Sequence, residues 1–196
     1  MTPERVFVIG APGSGKTTLA RQIGRKLDLP VHNLDEVARV GGGTGPQRSS
    51  AERAASVVEI IASGRWVAEG VHLAWTNDLL EAAEVIVWLD HVAWQRSSGR
   101  IVKRFVNQAL AEARRQRGWR RFLRVRDYGR RLRELAVAIP ESRDYERAPA
   151  GSDGAGSPTV TRAATAAVLA PYEHKLVHCR TSADIDTALR TVLSPA

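Results

Sequence analysis

The sequence predicts an α/β fold, a parallel sheet with helices on both faces. Three observations carry this reading. Short apolar, β-branched runs alternate with stretches of helical periodicity. The run Val85-Ile86-Val87-Trp88-Leu89 is apolar throughout, as a strand covered on both faces must be. A glycine-rich loop separates the first strand from the first helix, and sheets of this kind bind ligands beyond the carboxyl ends of their strands.

The elements follow in order. Residues 5–9 (RVFVI) read as a short buried strand ended by glycine. Residues 17–27 read as a helix, with Leu19, Ala20, Ile23, Gly24 and Leu27 on one face. Residues 30–34 form a second strand, and residues 41–46, which include three consecutive glycines, a flexible hinge. Helical periodicity returns over 51–62. Residues 66–68 are a third strand, ending at Glu69-Gly70; 77–83 are a short helix and 85–89 a fourth strand. A long helix is expected over 94–117 and another over 119–139, interrupted by Gly118 and ended by Pro140. Residues 148–158 (APAGSDGAGSP) are a low-complexity, mobile loop. A fifth strand is expected at 175–178 and a last helix at 182–193, with Ser182 as its cap.

Composition bounds the rest. A chain of 196 residues is expected to be one domain, 1–196. Its 43% hydrophobic content excludes whole-chain disorder. A single cysteine, Cys179, excludes an intramolecular disulfide framework. No apolar run approaches the about 20 residues of a membrane span, and the first residues do not read as a signal peptide. The expected compartment is the cytoplasm. Of the net charge of +8, residues 96–147 supply +10, from sixteen basic and six acidic side chains. That segment faces water or something anionic: nucleotide phosphates, nucleic acid or an acidic partner.

The most specific signal is Gly10-Ala11-Pro12-Gly13-Ser14-Gly15-Lys16-Thr17, a full match to G-x-x-x-x-G-K-[ST] between a strand and a helix. The glycines let backbone N–H groups converge into an anion nest, and the following helix adds its positive end. Lys16 supplies a charge for the β- and γ-phosphates. The Thr17 hydroxyl is a hard ligand for Mg²⁺, and Thr18 lies beside it. The loop alone leaves the acceptor open, since kinases, ATPases and GTPases share it.

With that loop, Leu19-Ala20-Arg21-Gln22-Ile23-Gly24-Arg25-Lys26-Leu27, Pro30-Val31-His32-Asn33-Leu34-Asp35, Glu69-Gly70, Leu89-Asp90 and the arginines of 94–117, the chain resembles the adenylate kinase-like nucleoside and nucleotide kinase superfamily of P-loop NTPases. Within it, the chain is most similar to small bacterial topology-modulation or adenylate kinase-related proteins. The resemblance implies a three-layer αβα P-loop fold. Its five-stranded parallel sheet would be ordered 2-3-1-4-5, with an arginine-rich helical lid at about 94–139. It implies transfer of the γ-phosphate of ATP-Mg²⁺, or of another triphosphate, to a small acceptor: a nucleoside, nucleotide or metabolite.

The resemblance also implies roles. Residues 10–18 and Lys16 hold the triphosphate. Asp35 binds the acceptor hydroxyl or hydrated Mg²⁺, and a carboxylate there can deprotonate the hydroxyl. Glu69 holds Mg²⁺ with Thr17 or acts on the acceptor. Arg96, Arg100 and Arg104, spaced by four on one helical face, close over the phosphates, with Arg100 and Arg104 stabilising the transferring group. Arg180, with Thr181 and Asp184, frames the base. Asp90 is a weaker metal candidate or a helix cap. His72 could touch substrate, and Trp75 could stack on a base. The histidines show no zinc spacing. The alternative is a nucleotide-dependent nucleic-acid-binding or regulatory P-loop protein with little turnover. Residues 148–158 have no counterpart in the resemblance, and neither the acceptor nor the oligomeric state is legible.

Overall fold

The first strand sets the layering. In β1 (Arg5–Gly10), Val6 and Val8 pack into one cluster and Phe7 and Ile9 into another; all four are fully buried. A strand with both faces apolar must be covered on both sides. The computed structural model describes residues 2–41, 45–90, 145 and 160–193. Within them, β1 is joined by β2 (Val31–Asn33), β3 (Trp66–Glu69), β4 (Val85–Leu89) and β5 (Leu176–Cys179). Every pairing is parallel and the order is β2-β3-β1-β4-β5, as the resemblance implies.

The helices are α1 (Lys16–Leu27), α2 (Leu34–Ala38), α3 (Ser50–Ala62), α4 (Asn77–Ala82), α5 (Arg162–Leu169) and α6 (Ser182–Leu193). Leu19, Ala20 and Ile23 of α1 and Ala188 and Val192 of α6 cover Val6, Val8, Val67, Val87 and Leu89. On the opposite face, Val57 and Ile60 of α3, Leu79 and Leu80 of α4, and Ala164 and Leu169 of α5 cover Phe7, Ile9, Trp66, Ile86 and Trp88. Each large apolar side chain fully buried this way stabilises the fold by about 1.5–3 kcal/mol. The register of Gly10 with Leu89 and of Val8 with Glu69 sets the carboxyl ends of β1, β3 and β4 side by side.

The structure departs from the sequence reading in a few places. Several element ends shift by one residue, while 85–89 and 182–193 match at both ends. Thr181, not Ser182, caps α6: its hydroxyl accepts from the Asp184 amide at 3.3 Å, while the Asp184 carboxylate accepts from the Thr181 and Arg180 amides at 2.7 and 2.8 Å. Helix α5 was not anticipated, because its alanine-rich sequence has no strong apolar stripe. It is held by a cap instead, the Thr161 hydroxyl accepting from the Ala164 amide at 3.1 Å. The hinge at 41–46 is tied at its base: Val40 N–H donates to Pro46 O and Arg48 N–H to Ala38 O. The helices expected at 94–117 and 119–139, and the loop at 148–158, lie outside the described residues. So do Arg96, Arg100 and Arg104.

Candidate functional site

The site begins where β1 ends. Residues 11–15 form the loop, and Lys16 opens α1. Gly13 and Gly15 hold φ angles of 75° and 103°, where a side chain would be strained. Gly15 also stands at the cap position of α1, and no side chain among the described residues caps that helix. α3 contrasts: Ser49 and Glu52 form a reciprocal capping box. The positive end of the α1 dipole therefore faces the loop with no side-chain cap over it. The Ser14 hydroxyl adds a buried oxygen with no hydrogen-bond partner among the described residues. Lys16 Nζ folds over the loop and donates to Ala11 O at 2.9 Å.

Two further side chains converge on this point. Glu69, at the end of β3, is 2% exposed, and its Oε1 accepts from the Thr17 hydroxyl at 2.8 Å. Burial raises its pKa above the usual carboxylate value; the nearby Lys16 charge and the Thr17 hydrogen bond oppose that shift without cancelling it. The adjacent Gly70 leaves no room for a side chain, since a Cβ would lie 2.8 Å from Leu34 Cβ. A buried carboxylate and a hydroxyl, both hard oxygen donors, suit Mg²⁺, and the open helix end and Ser14 suit an anion. The side chains present therefore fit a magnesium–phosphate group.

The neighbouring strand brings a second pair. Asn33 caps α2 by accepting from the Asp35 amide at 2.9 Å, which fixes the backbone at the end of β2. The Asp35 carboxylate is exposed and pairs with His72 Nε2 at 2.8 Å. His72 follows Gly70 by two residues, stacks on Trp75 with ring centroids 5.0 Å apart, and its carbonyl accepts from Thr76 Oγ1 at 2.6 Å. The Arg53 guanidinium lies over the same indole at 5.7 Å. The Trp75 ring is thus engaged by His72 and Arg53 rather than left bare for a base. Asp35 bears on Glu69 by charge, which puts the two acids in one electrostatic site.

On the other side of β1 the arrangement closes on itself. The Asp90 side chain is 3% exposed and takes a bidentate ion pair from Arg162 at 2.6 and 2.7 Å. His178 Nε2 reaches it at 2.9 Å. The His178 ring stacks on Trp88 at 4.1 Å, and Trp88 Nε1 donates to the buried Tyr145 hydroxyl at 3.1 Å. Asp90 is thus occupied by the Arg162 guanidinium and the His178 ring. Arg180 is exposed beyond β5, its Nε 3.4 Å from His178 Nδ1, on the sheet edge two strands from the loop. Cys179 packs in β5 as expected, and burial pushes its thiol up to about 11, so it is not a nucleophile at neutral pH. Thr18 is exposed on the first turn of α1. The structure thus brings together residues 10–17, Lys16, Glu69 and Asp35, and adds His72. The pairing of Arg162 with Asp90 had no sequence signal; that of His72 with Asp35 had only its closeness to Glu69-Gly70.

Residues 6–147 match the AAA_18 model, an AAA domain. The chain belongs to this P-loop NTPase family. No curated protein matches it. Among solved structures it is similar to a shikimate kinase from Acinetobacter baumannii (17% identity, 89% of this chain and 96% of that one, TM-score 0.40). It is similar also to an uncharacterized protein from Eubacterium ventriosum (13%, 96% and 96%, TM-score 0.43). A third is a sugar kinase from Janibacter sp. (20%, 51% of this chain, TM-score 0.37), of whose length the match spans 66%. At these scores the likenesses carry no argument about activity, which has to be argued from the side chains. Among the described residues, no helix is long and apolar enough to cross a membrane and no cluster of three or more His, Cys, Asp or Glu could hold a metal.

Proposed function

We propose that this AAA-family domain, spanning 1–196, is a small-molecule kinase that moves the γ-phosphate of ATP, or of another triphosphate, to an acceptor hydroxyl. The observation that carries the reading is the Thr17–Glu69 hydrogen bond at the foot of the uncapped α1 helix. It ties a hard-oxygen pair to a helix start whose dipole and lysine are suited to phosphates. In this reading the loop of residues 10–18, through the backbone N–H groups that all but Pro12 carry, and the Lys16 side chain hold the triphosphate. Thr17 and Glu69 hold Mg²⁺, directly or through water. The metal, when bound, neutralises charge that builds on the phosphate oxygens.

The two acids then divide the work. Glu69 is buried and already engaged by Thr17, which suits the metal side. Asp35 is exposed and one strand further out, which suits the acceptor. Arg96, Arg100 and Arg104, by their spacing, would cover the phosphates and keep water from intercepting the transfer. Arg180 would frame the base from the loop after β5. The compartment that goes with this chemistry is the cytoplasm.

A second reading is favoured by the +10 charge of residues 96–147: a nucleotide-dependent nucleic-acid binder or regulator with little turnover. One experiment separates the two. The protein is incubated with Mg-ATP and a panel of nucleosides, nucleoside monophosphates, and sugar and acid metabolites, and ADP is followed. Acceptor-stimulated ADP release is expected. No stimulation across the panel, with DNA binding that weakens steeply with salt, would replace the kinase reading by the second one.

A further inference from the structure

We propose that His72, oriented by Asp35 and packed on Trp75, is the general base that takes the proton from the acceptor hydroxyl, and that Asp35 is its positioning residue. The inference rests on the kinase reading and deepens it. Its ground is the geometry at the ends of β2 and β3. A carboxylate oxygen accepts hydrogen bonds and does not donate them, so the 2.8 Å contact from Asp35 Oδ1 selects the His72 tautomer with its proton on Nε2. Nδ1 then carries the lone pair. Among the described residues, Nδ1 has no hydrogen-bond partner.

The ring is also held. Trp75 lies against one imidazole face, the Thr76 hydroxyl ties down the His72 carbonyl, and Arg53 backs the indole. These contacts fix the imidazole, which a general base needs more than it needs strength. A lone carboxylate in the position of Asp35 is a weaker base near neutral pH than an imidazole, whose ordinary pKa lies close to it. With the pair intact, Asp35 also stabilises the imidazolium as it forms.

The step balances. The acceptor oxygen forms a bond to the γ-phosphorus as its proton passes to His72 Nδ1. The bond from the γ-phosphorus to the bridging oxygen breaks, and its electron pair leaves with ADP. The imidazolium that results faces Asp35. Among the described residues, the charged groups around the pair include Glu69 at the end of β3, Lys16 and Arg21 of α1 beside Glu69, and Arg53 of α3 across Trp75.

The test uses the full chain, Mg-ATP, and whichever panel acceptor most raises ADP release. His72→Gln is expected to lower acceptor-dependent kcat by about 10²-fold or more, with the KM for acceptor and the Kd for Mg-ATP little changed. The acid limb of the wild-type pH profile should vanish in His72→Gln. In Asp35→Ala the preference for the Nε2-protonated tautomer should be lost, and kcat should fall with it. Free imidazole should restore part of the rate of His72→Ala. Independently of turnover, ¹⁵N shifts of the His72 ring should show Nε2 protonated and Nδ1 bare at neutral pH. Unchanged kcat in His72→Gln, a persisting acid limb, or a proton on Nδ1 would overturn the proposal. A wild type that turns over no panel acceptor would remove the kinase reading and this role with it. That result differs from an active wild type beside an equally active His72→Gln, which removes only the role of His72.

Discussion

Glu69 and Asp90 end the two strands that flank β1, and both are almost wholly buried. Their surroundings are opposite. Asp90 has both oxygens taken, by the Arg162 guanidinium and by His178. Glu69 has one hydroxyl donor, from Thr17, and burial raises its pKa despite Lys16 nearby. A buried charge that is fully paired joins elements together, here α5 and β5 to β4. One that is paired only in part has been left with capacity to bind. Helix starts differ likewise: α3 and α6 close theirs with side chains, whereas α1 and α4 have no side-chain cap. Among the described residues, the unpartnered Ser14 hydroxyl and the partly paired Glu69 lie together beyond the carboxyl ends of β1 and β3.

The sharpest way to break that comparison is to remove the charge that makes the open side attractive to phosphate. Lys16→Ala is expected to lower ADP release by about 10³-fold, the scale of losing a preorganised charge at a transferring group. The fold should survive, since Lys16 belongs to neither hydrophobic cluster. Thermal unfolding and Mg-ATP titration check both halves. Unaltered ADP release would remove Lys16 from the proposed site.

The two acids give the next test. Glu69→Gln should cost about 10²-fold in turnover while leaving thermal stability equal or higher, because a buried charge is replaced by a neutral group of the same shape. Asp90→Asn should do the reverse. It leaves Arg162 and His178 without their anion, and since Arg162 is half exposed, the loss should be about 2 kcal/mol rather than the 3–5 kcal/mol of a fully buried pair. For a chain of this size that lowers Tm by about 4–8 °C, with Mg-ATP affinity nearly unchanged. Equal damage to turnover from both variants would mean that the acid after β4 belongs to the site after all.

How much of this was legible follows from range. The loop, the central strands and the layering were readable, because Gly10 to Thr17 and the apolar runs are local patterns that need no partner to identify them. The acids at strand ends were readable as candidates, since the strand order that the resemblance implies, and that the sheet has, places Glu69 and Asp90 beside the loop. Their difference was not. It is decided by Arg162, 72 residues from Asp90, and by Thr17, 52 residues from Glu69. Helix α5, which carries Arg162, is an alanine-rich segment whose start is fixed by a threonine cap rather than by a periodic apolar face. The cap of α6 was misplaced by one residue because Thr181 and Ser182 are equally good caps, and only Asp184 three residues after Thr181 decides between them.

The smallest effect expected lies in the pH dependence of stability. Glu69 is protonated more readily in the folded chain than in the unfolded one, because burial raises its pKa. Between the unfolded value and the raised folded value the native state therefore binds the extra proton. Its contribution is fully present below the unfolded value, near 4.5, and is lost as pH rises through the folded one. Asp184 runs the other way: hydrogen bonds from Thr181 and Arg180 lower its pKa, so its contribution holds above its unfolded value and fades as pH falls through the folded one. Measured as Tm against pH, wild type and Glu69→Gln should converge in acid and separate above the Glu69 titration, with the wild type the less stable. Mg-ATP should shrink that gap, since a bound cation compensates the carboxylate that the glutamine variant lacks. A gap of the opposite sign, or one that Mg-ATP leaves untouched, would place Glu69 with Asp90 among the structural acids.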